Sequence, residues 1–167
     1  HALSVMARNF GFLESPVLFV TIFFGANDAA LPGQPQHVPI HEYRDNIVAM
    51  VRQIRMTLQP TTEFPILLLT PPPVDDEAWC KSREDLDQSD RTNEMALAYG
   101  DQIKQVAGIV DANCAVIDTW ELLEGETEWR GKYLSDGLHL NGAGNQKVFE
   151  CIMEKIQSHY PKLAPME

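Results

Sequence analysis

Pro16-Val17-Leu18-Phe19-Val20-Thr21-Ile22-Phe23-Phe24-Gly25 is the stretch on which the fold turns. A strand with one solvated face alternates apolar and polar residues, whereas a strand covered on both faces runs apolar without a break. Val17 to Phe24 is closer to the second kind, rich in β-branched and aromatic residues with Thr21 the one polar residue within it, and stopped by a glycine. It predicts a buried parallel strand. Parallel strands cannot be joined by hairpins, so helical crossovers must follow.

The residues beyond it supply them. After a turn-rich stretch from Gly25 to Pro39, Tyr43, Ile47, Met50, Val51, Ile54 and Leu58 fall on one face of a helix over Glu42 to Leu58, which Pro60 ends. Phe64 to Thr70 is a second short apolar run, halted by Pro71-Pro72-Pro73, and predicts a strand. The polar residues from there to about Gln88 predict a surface loop. Met95, Tyr99, Ile103, Val106 and Val110 mark a second helix ending near Asn113, and Cys114 to Asp118 a third strand. Asn141 is a good N-cap for a last helix through Val148, Phe149, Ile152, Met153 and Ile156 to about Tyr160. Strands alternating with amphipathic helices predict an α/β fold, a three-layer α/β/α domain around a doubly wound parallel sheet, with residues 1–167 forming one domain.

Composition narrows the partners. The chain has 167 residues, 24 acidic against 13 basic, and a net charge of −11, which repels nucleic-acid backbones and anionic lipid surfaces. Hydrophobic residues make up 44%, enough for a packed core rather than a disordered chain. No membrane span is expected, because the longest apolar run is far short of the roughly 20 residues a bilayer needs. Three cysteines, Cys80, Cys114 and Cys151, stand well apart with no CxxC spacing, which fits a reducing, intracellular and cytoplasmic setting. His37 and His41 have the i, i+4 spacing of metal ligands, but Pro39 between them breaks the helix that would align them. No metal is expected. The acidic runs Asp75-Asp76-Glu77 and Glu121 to Glu128 predict solvated surface.

Ligands of open parallel sheets bind beyond the carboxyl ends of the strands, and two constellations fall there. Gly25-Ala26-Asn27-Asp28 leaves the first strand: the glycine permits a sharp exit, and the Asn27 amide can project as a hydrogen-bond donor suited to an oxyanion. Asn and Asp are also common turn residues anywhere. Ser135-Asp136-Gly137-Leu138-His139-Leu140-Asn141 precedes the last helix, and one tight turn could bring the Asp136 carboxylate to the His139 imidazole. An aspartate holding Nδ1–H leaves Nε2 free as a general base. A cap beside a merely packed histidine is the plainer alternative. Trp79, Trp120, Trp129 and Tyr133 could line a substrate pocket or fill the core. No Gly-rich phosphate loop follows any strand, which counts against nucleotide binding.

Taken together, these residues resemble the SGNH, or GDSL-type, hydrolases and, within them, the eukaryotic isoamyl acetate-hydrolysing esterases. Val20 to Asp28 resembles the family's third block, Thr70 to Pro73 its strand-ending loop, and Tyr133 to Leu140 its fifth block. The resemblance implies the three-layer fold and small-molecule ester substrates, with no cofactor and no metal. It makes Asn27 an oxyanion-hole donor next to Gly25, His139 the general base and Asp136 its orienting carboxylate. The family's nucleophile is a serine in a Gly-Asp-Ser block, and no Gly-Asp precedes Ser4, Ser15, Ser82, Ser89, Ser135 or Ser158. The chain therefore reads as starting after that block and after the sheet's first strand, inactive alone, with an uncovered sheet edge open to self-association. A non-catalytic interaction module using that edge is the alternative.

Overall fold

The computed structural model describes residues 17–58, 64–84, 86–110 and 113–163. Pro16, Pro60, Ser4 and Ser15 lie outside them. Three parallel strands form the sheet in the order β1-β2-β3: β1 is Val20–Ile22, β2 Ile66–Leu69 and β3 Cys114–Ile117. Val20 stands opposite Ile66, and Ile66 opposite Cys114. Helix α1 (Ile40–Thr57) crosses from β1 to β2, while α2 (Asp76–Lys81) and α3 (Asn93–Val110) lie between β2 and β3. After β3 come α4 (Thr119–Glu124), α5 (Trp129–Tyr133), α6 (Gly142–His159) and a 3₁₀ turn at Pro161–Leu163.

β2 is the strand covered on both faces. Ile66, Leu67, Leu68 and Leu69 are all essentially inaccessible, and successive side chains point to opposite sides. Ile66 and Leu68 join Ile22, Tyr43, Ile47, Ile54, Tyr99 and Ile103 beneath α1 and α3. Leu67 and Leu69 join Ile117, Val148 and Ile156 beneath α6. Helices thus close both faces, giving the α/β/α layering.

β1 departs from the expectation of an eight-residue buried strand. It pairs over three residues, and Leu18, Phe19, Phe23 and Phe24 are 37–56% exposed. Among the described residues only β2 lies beside it, so one edge carries no ladder and the flanking residues have nothing to pair with.

The stretch up to Gln88, expected to be a loop, contains α2, and the acidic run from Glu121 spans α4. Both helices have six residues, too few for an apolar stripe to show as a period. Each is set by an aspartate cap: Asp75 accepts from Ala78 N at 3.1 Å and Asp118 from Glu121 N at 3.1 Å. The acidic runs are therefore not plain solvated surface. Glu126 accepts from Lys132 Nζ at 2.5 Å, Tyr133 Oη at 2.6 Å and Lys147 Nζ at 2.7 Å. The hydrogen bonds from these three hold its carboxyl down to about 2, and they tie α5 and α6 together.

Candidate active site

The chain leaves β1 through a turn that only glycine can start. Gly25 has φ +120°, and a Cβ there would lie 2.6 Å from Tyr43 Oη and 2.7 Å from Pro71 Cγ. Below the turn, Tyr43 and Tyr99 stack at a tilt with centroids 5.0 Å apart. Tyr43 Oη donates to Phe24 O at 2.9 Å, and Tyr99 Oη donates to Val38 O. The Asp28 carboxyl faces this pair. Burial pushes it up, against the lowering effect of the backbone amides of Asp28 and Gly25. Burial and the nearby Asp28 charge likewise push the Tyr43 phenol far up. Asp28 and the tyrosines thus set the turn, and Asn27 sits exposed at its crest, its amide without a hydrogen bond among the described residues.

The second loop is tied to itself. Asp136 Oδ1 accepts from Leu138 N at 3.0 Å and His139 N at 2.8 Å, an Asx turn. Its Oδ2 lies 2.7 Å from His139 Nδ1. Burial alone would raise the Asp136 carboxyl, but hydrogen bonds from the His139 amide, its imidazole and the Leu138 amide outweigh it and hold it low. An ionised carboxylate can only accept, so Nδ1 is the ring nitrogen that donates to it, and Nε2 is left outside that hydrogen bond. Ser135 closes the loop, with its amide 2.9 Å and its hydroxyl 3.0 Å from His139 O. That hydroxyl therefore serves the backbone and not the imidazole. Asn141 caps α6 by accepting from Gly144 N at 3.0 Å.

The two loops share a support. The strands are parallel, so Gly25 to Ala30, the residues after Leu69 and Asp118 all leave by the same sheet edge. Gly25 packs against Pro71 in the exit loop of β2, and Asp75 at the end of that loop donates N–H to Gly137 O at 2.8 Å. Gly137, at φ +96°, lies so close to α2 that a Cβ would come within 2.5 Å of Asp75 O. Helix α2 is thus the floor of the histidine loop, and no periodicity in the sequence signals it.

The aromatic candidates separate. Trp129 and Tyr133 are buried with Leu123 and Leu134, Trp120 Nε1 donates to Asn93 Oδ1 at 3.0 Å, and Trp79 lies against His139. His37 Nδ1 sits 2.6 Å from Ala30 O, while His41 lies exposed on α1. Among the described residues no three of His, Cys, Asp and Glu are grouped to hold a metal. An open hollow of about 490 Å³ is lined by Glu128, Arg130, Gly131 and Lys132 and includes neither Asn27 nor His139.

A carboxylate-held imidazole at the carboxyl edge of a parallel α/β sheet is equipment for acid–base chemistry. Residues 5–147 match the GDSL-like Lipase/Acylhydrolase family, and the chain belongs to it. It is 38% identical over 163 residues to a GDSL esterase/lipase of Arabidopsis thaliana, covering 92% of this chain and 64% of the relative. It is 38% identical over 159 residues to the isoamyl acetate-hydrolyzing esterase 1 homolog of Bos taurus, with 92% and 62% covered. The isoamyl acetate-hydrolyzing esterase of Saccharomyces cerevisiae is 32% identical over 154 residues, with 91% and 62% covered. The chain thus spans somewhat under two thirds of these relatives' length. Among solved structures, a lipase/acylhydrolase from Enterococcus faecalis superposes with a TM-score of 0.67 at 23% identity, covering 90% of this chain and 65% of that one. An acetyl xylan esterase from Geobacillus stearothermophilus superposes at 0.66 and 18% identity, with 99% and 69% covered. These two speak to the fold alone.

Proposed function

We propose that this chain supplies the acid–base and oxyanion-binding parts of a carboxylic ester hydrolase of the SGNH type. The observation that carries the reading is the Asp136–His139 pair, 2.7 Å apart in a loop that holds the carboxylate against the imidazole Nδ1. His139 Nε2 takes the proton from a serine hydroxyl as that oxygen attacks the ester carbonyl, and the Asn27 amide donates to the oxygen that becomes negative. Collapse expels the alcohol, which receives the proton from His139. Water, deprotonated by the same imidazole, then releases the acid and restores the serine. Gly25 contributes by the sharp exit that brings Asn27 forward.

None of the six serines follows Gly-Asp, so the attacking hydroxyl is assigned to a Gly-Asp-Ser segment of the complete protein, and the 167-residue chain by itself to an inactive state. Short-chain and acetyl esters are the proposed substrates, supported by the names of the bovine and yeast relatives. A cytoplasmic setting is part of this reading, and Cys80 and Cys151, which stand free, are compatible with it. No helix among the described residues is long and apolar enough to cross a membrane.

A panel of p-nitrophenyl acetate, butyrate and octanoate tests this, run on the 167 residues and on a form that includes the Gly-Asp-Ser segment. Only the longer form should turn over, with the acetate or butyrate ester preferred. Asn27→Ala in that form should lower kcat by about 10²- to 10³-fold. An unimpaired His139→Ala would remove the mechanism. A second reading, an interaction module, is favoured by the exposed Leu18, Phe19, Phe23 and Phe24 beside the unpaired edge of β1. It gains ground if no form hydrolyses any ester.

A further inference from the structure

The bond to Asp136 fixes one atom of the His139 ring but not the direction of the rest, because the side chain is 66% exposed. One aromatic wall stands against it. Trp79 of α2, 5% exposed, meets the imidazole nearly edge-on, with centroids 5.7 Å apart and planes at 70°. The indole is anchored in turn. Its Nε1–H donates to Asp90 Oδ1 at 2.7 Å, and the other Asp90 oxygen pairs with Arg91 Nη1 at 2.8 Å. Arg91 is buried and donates to Gln36 in the loop after β1, and the Asp90 carbonyl accepts from Leu31 N at 2.9 Å in the same loop. The Arg83 guanidinium lies 5.2 Å from the centre of the Trp79 ring. A run of contacts therefore joins the loop that carries Asn27 to the imidazole of His139.

We propose that Trp79 is a positioning residue: its anchored indole blocks the rotamers that would swing His139 aside, so that Nε2 is presented in one direction. The consequence for rate rests on the ester-hydrolase reading above, whereas the contact itself does not. Displacing a catalytic group by about 1 Å can cost about 10²-fold in rate, so a wall that settles one ring orientation affects turnover more than substrate affinity.

The test has two arms. In the 167-residue chain, NMR should show Overhauser cross-peaks between the Trp79 indole and His139 imidazole protons, and a single Nδ1–H tautomer. Trp79→Leu should shift the His139 ring protons by removing the indole ring current, and Trp79→Phe should keep most of the displacement. Absent cross-peaks in the wild type, or unmoved His139 signals in Trp79→Leu, overturn the proposal; should the leucine variant not fold, the wild-type cross-peaks and the phenylalanine variant decide it. In the serine-bearing form, Trp79→Leu should lower kcat about 10- to 100-fold with KM changed less than about threefold, and Trp79→Phe, which keeps an aromatic wall but loses the bond to Asp90, should recover part of that loss. An unchanged kcat in Trp79→Leu, or equal losses in both variants, overturns it. Full activity in His139→Ala would instead remove the hydrolase reading and leave the NMR contact standing, so the two failures are distinguishable.

Discussion

Asp136 holds three donors with two oxygens. Its carboxyl is held below the ordinary value of about 3.9. A group depressed in the folded state stabilises it fully above the unfolded value, and that contribution fades as pH falls through the lower folded value. Asp136→Asn should therefore be less stable than wild type in urea at pH 7, and the two curves should approach one another as the pH is lowered below about 4. A gap that persists at acid pH would mean the carboxylate charge is not what the loop depends on. Gly137 makes the same loop depend on backbone. At φ +96° a side chain costs on the order of 1–3 kcal/mol in conformation alone, and a Cβ would also press on Asp75 O. Gly137→Ala should lower the urea midpoint accordingly. It should also free the Asp75 amide, now bonded to Gly137 O, to exchange with deuterium.

At the level of elements, β2 and the start of α6 hold the site in place. Leu68 is fully buried between β2 and the helices α1 and α3. Leu68→Ala should cost about 2–5 kcal/mol, depending on how far that cluster collapses, measured by denaturant unfolding. Asn141 caps α6 and also donates to Lys132 O at 3.0 Å and Leu134 O at 3.3 Å, so it joins α5, the histidine loop and α6. Its loss as a cap costs about 1 kcal/mol. Asn141→Ala should exceed that figure, whereas Asn141→Asp, which can still cap but cannot donate, should recover only part. The long elements were legible from spacing alone: Tyr43 to Leu58 and Met95 to Val110 trace the inward faces of α1 and α3, and Val148, Ile152 and Ile156 that of α6, whereas Phe149, expected on the same stripe, is 55% exposed because it stands one position round the helix from Val148. Helix α2 was not, since six residues cannot show a period and only the Asp75 cap marks its start.

For the whole molecule, the sheet has two unequal edges. β2 is sealed by two strands and two layers of helix, while β1 leaves an edge bare among the described residues, flanked by Leu18 and Phe19 on one side and Phe23 and Phe24 on the other. Bare apolar edges invite pairing, and a lysine placed on one opposes it. The 167-residue chain should associate as its concentration rises, despite a charge of −11, and Phe19→Lys should shift sedimentation toward monomer. A chain that stays monomeric at high concentration would speak against the edge as an interaction surface.

The sequence by itself determined the layer order, the parallel sheet and the residue types at the strand exits, because these follow from apolar periodicity and from turn chemistry within a few neighbours. It also carried Asp136 to His139, whose three-residue separation lets one Asx turn close the pair. Only the tertiary structure decided that β2, and not Val17 to Phe24, is the strand buried on both sides, since burial depends on which strands lie alongside. It likewise decided that α2 underlies the histidine loop and that Trp79 stands against the ring. Sixty residues separate that indole from that imidazole, and no local rule links residues so far apart until the sheet folds and brings them together.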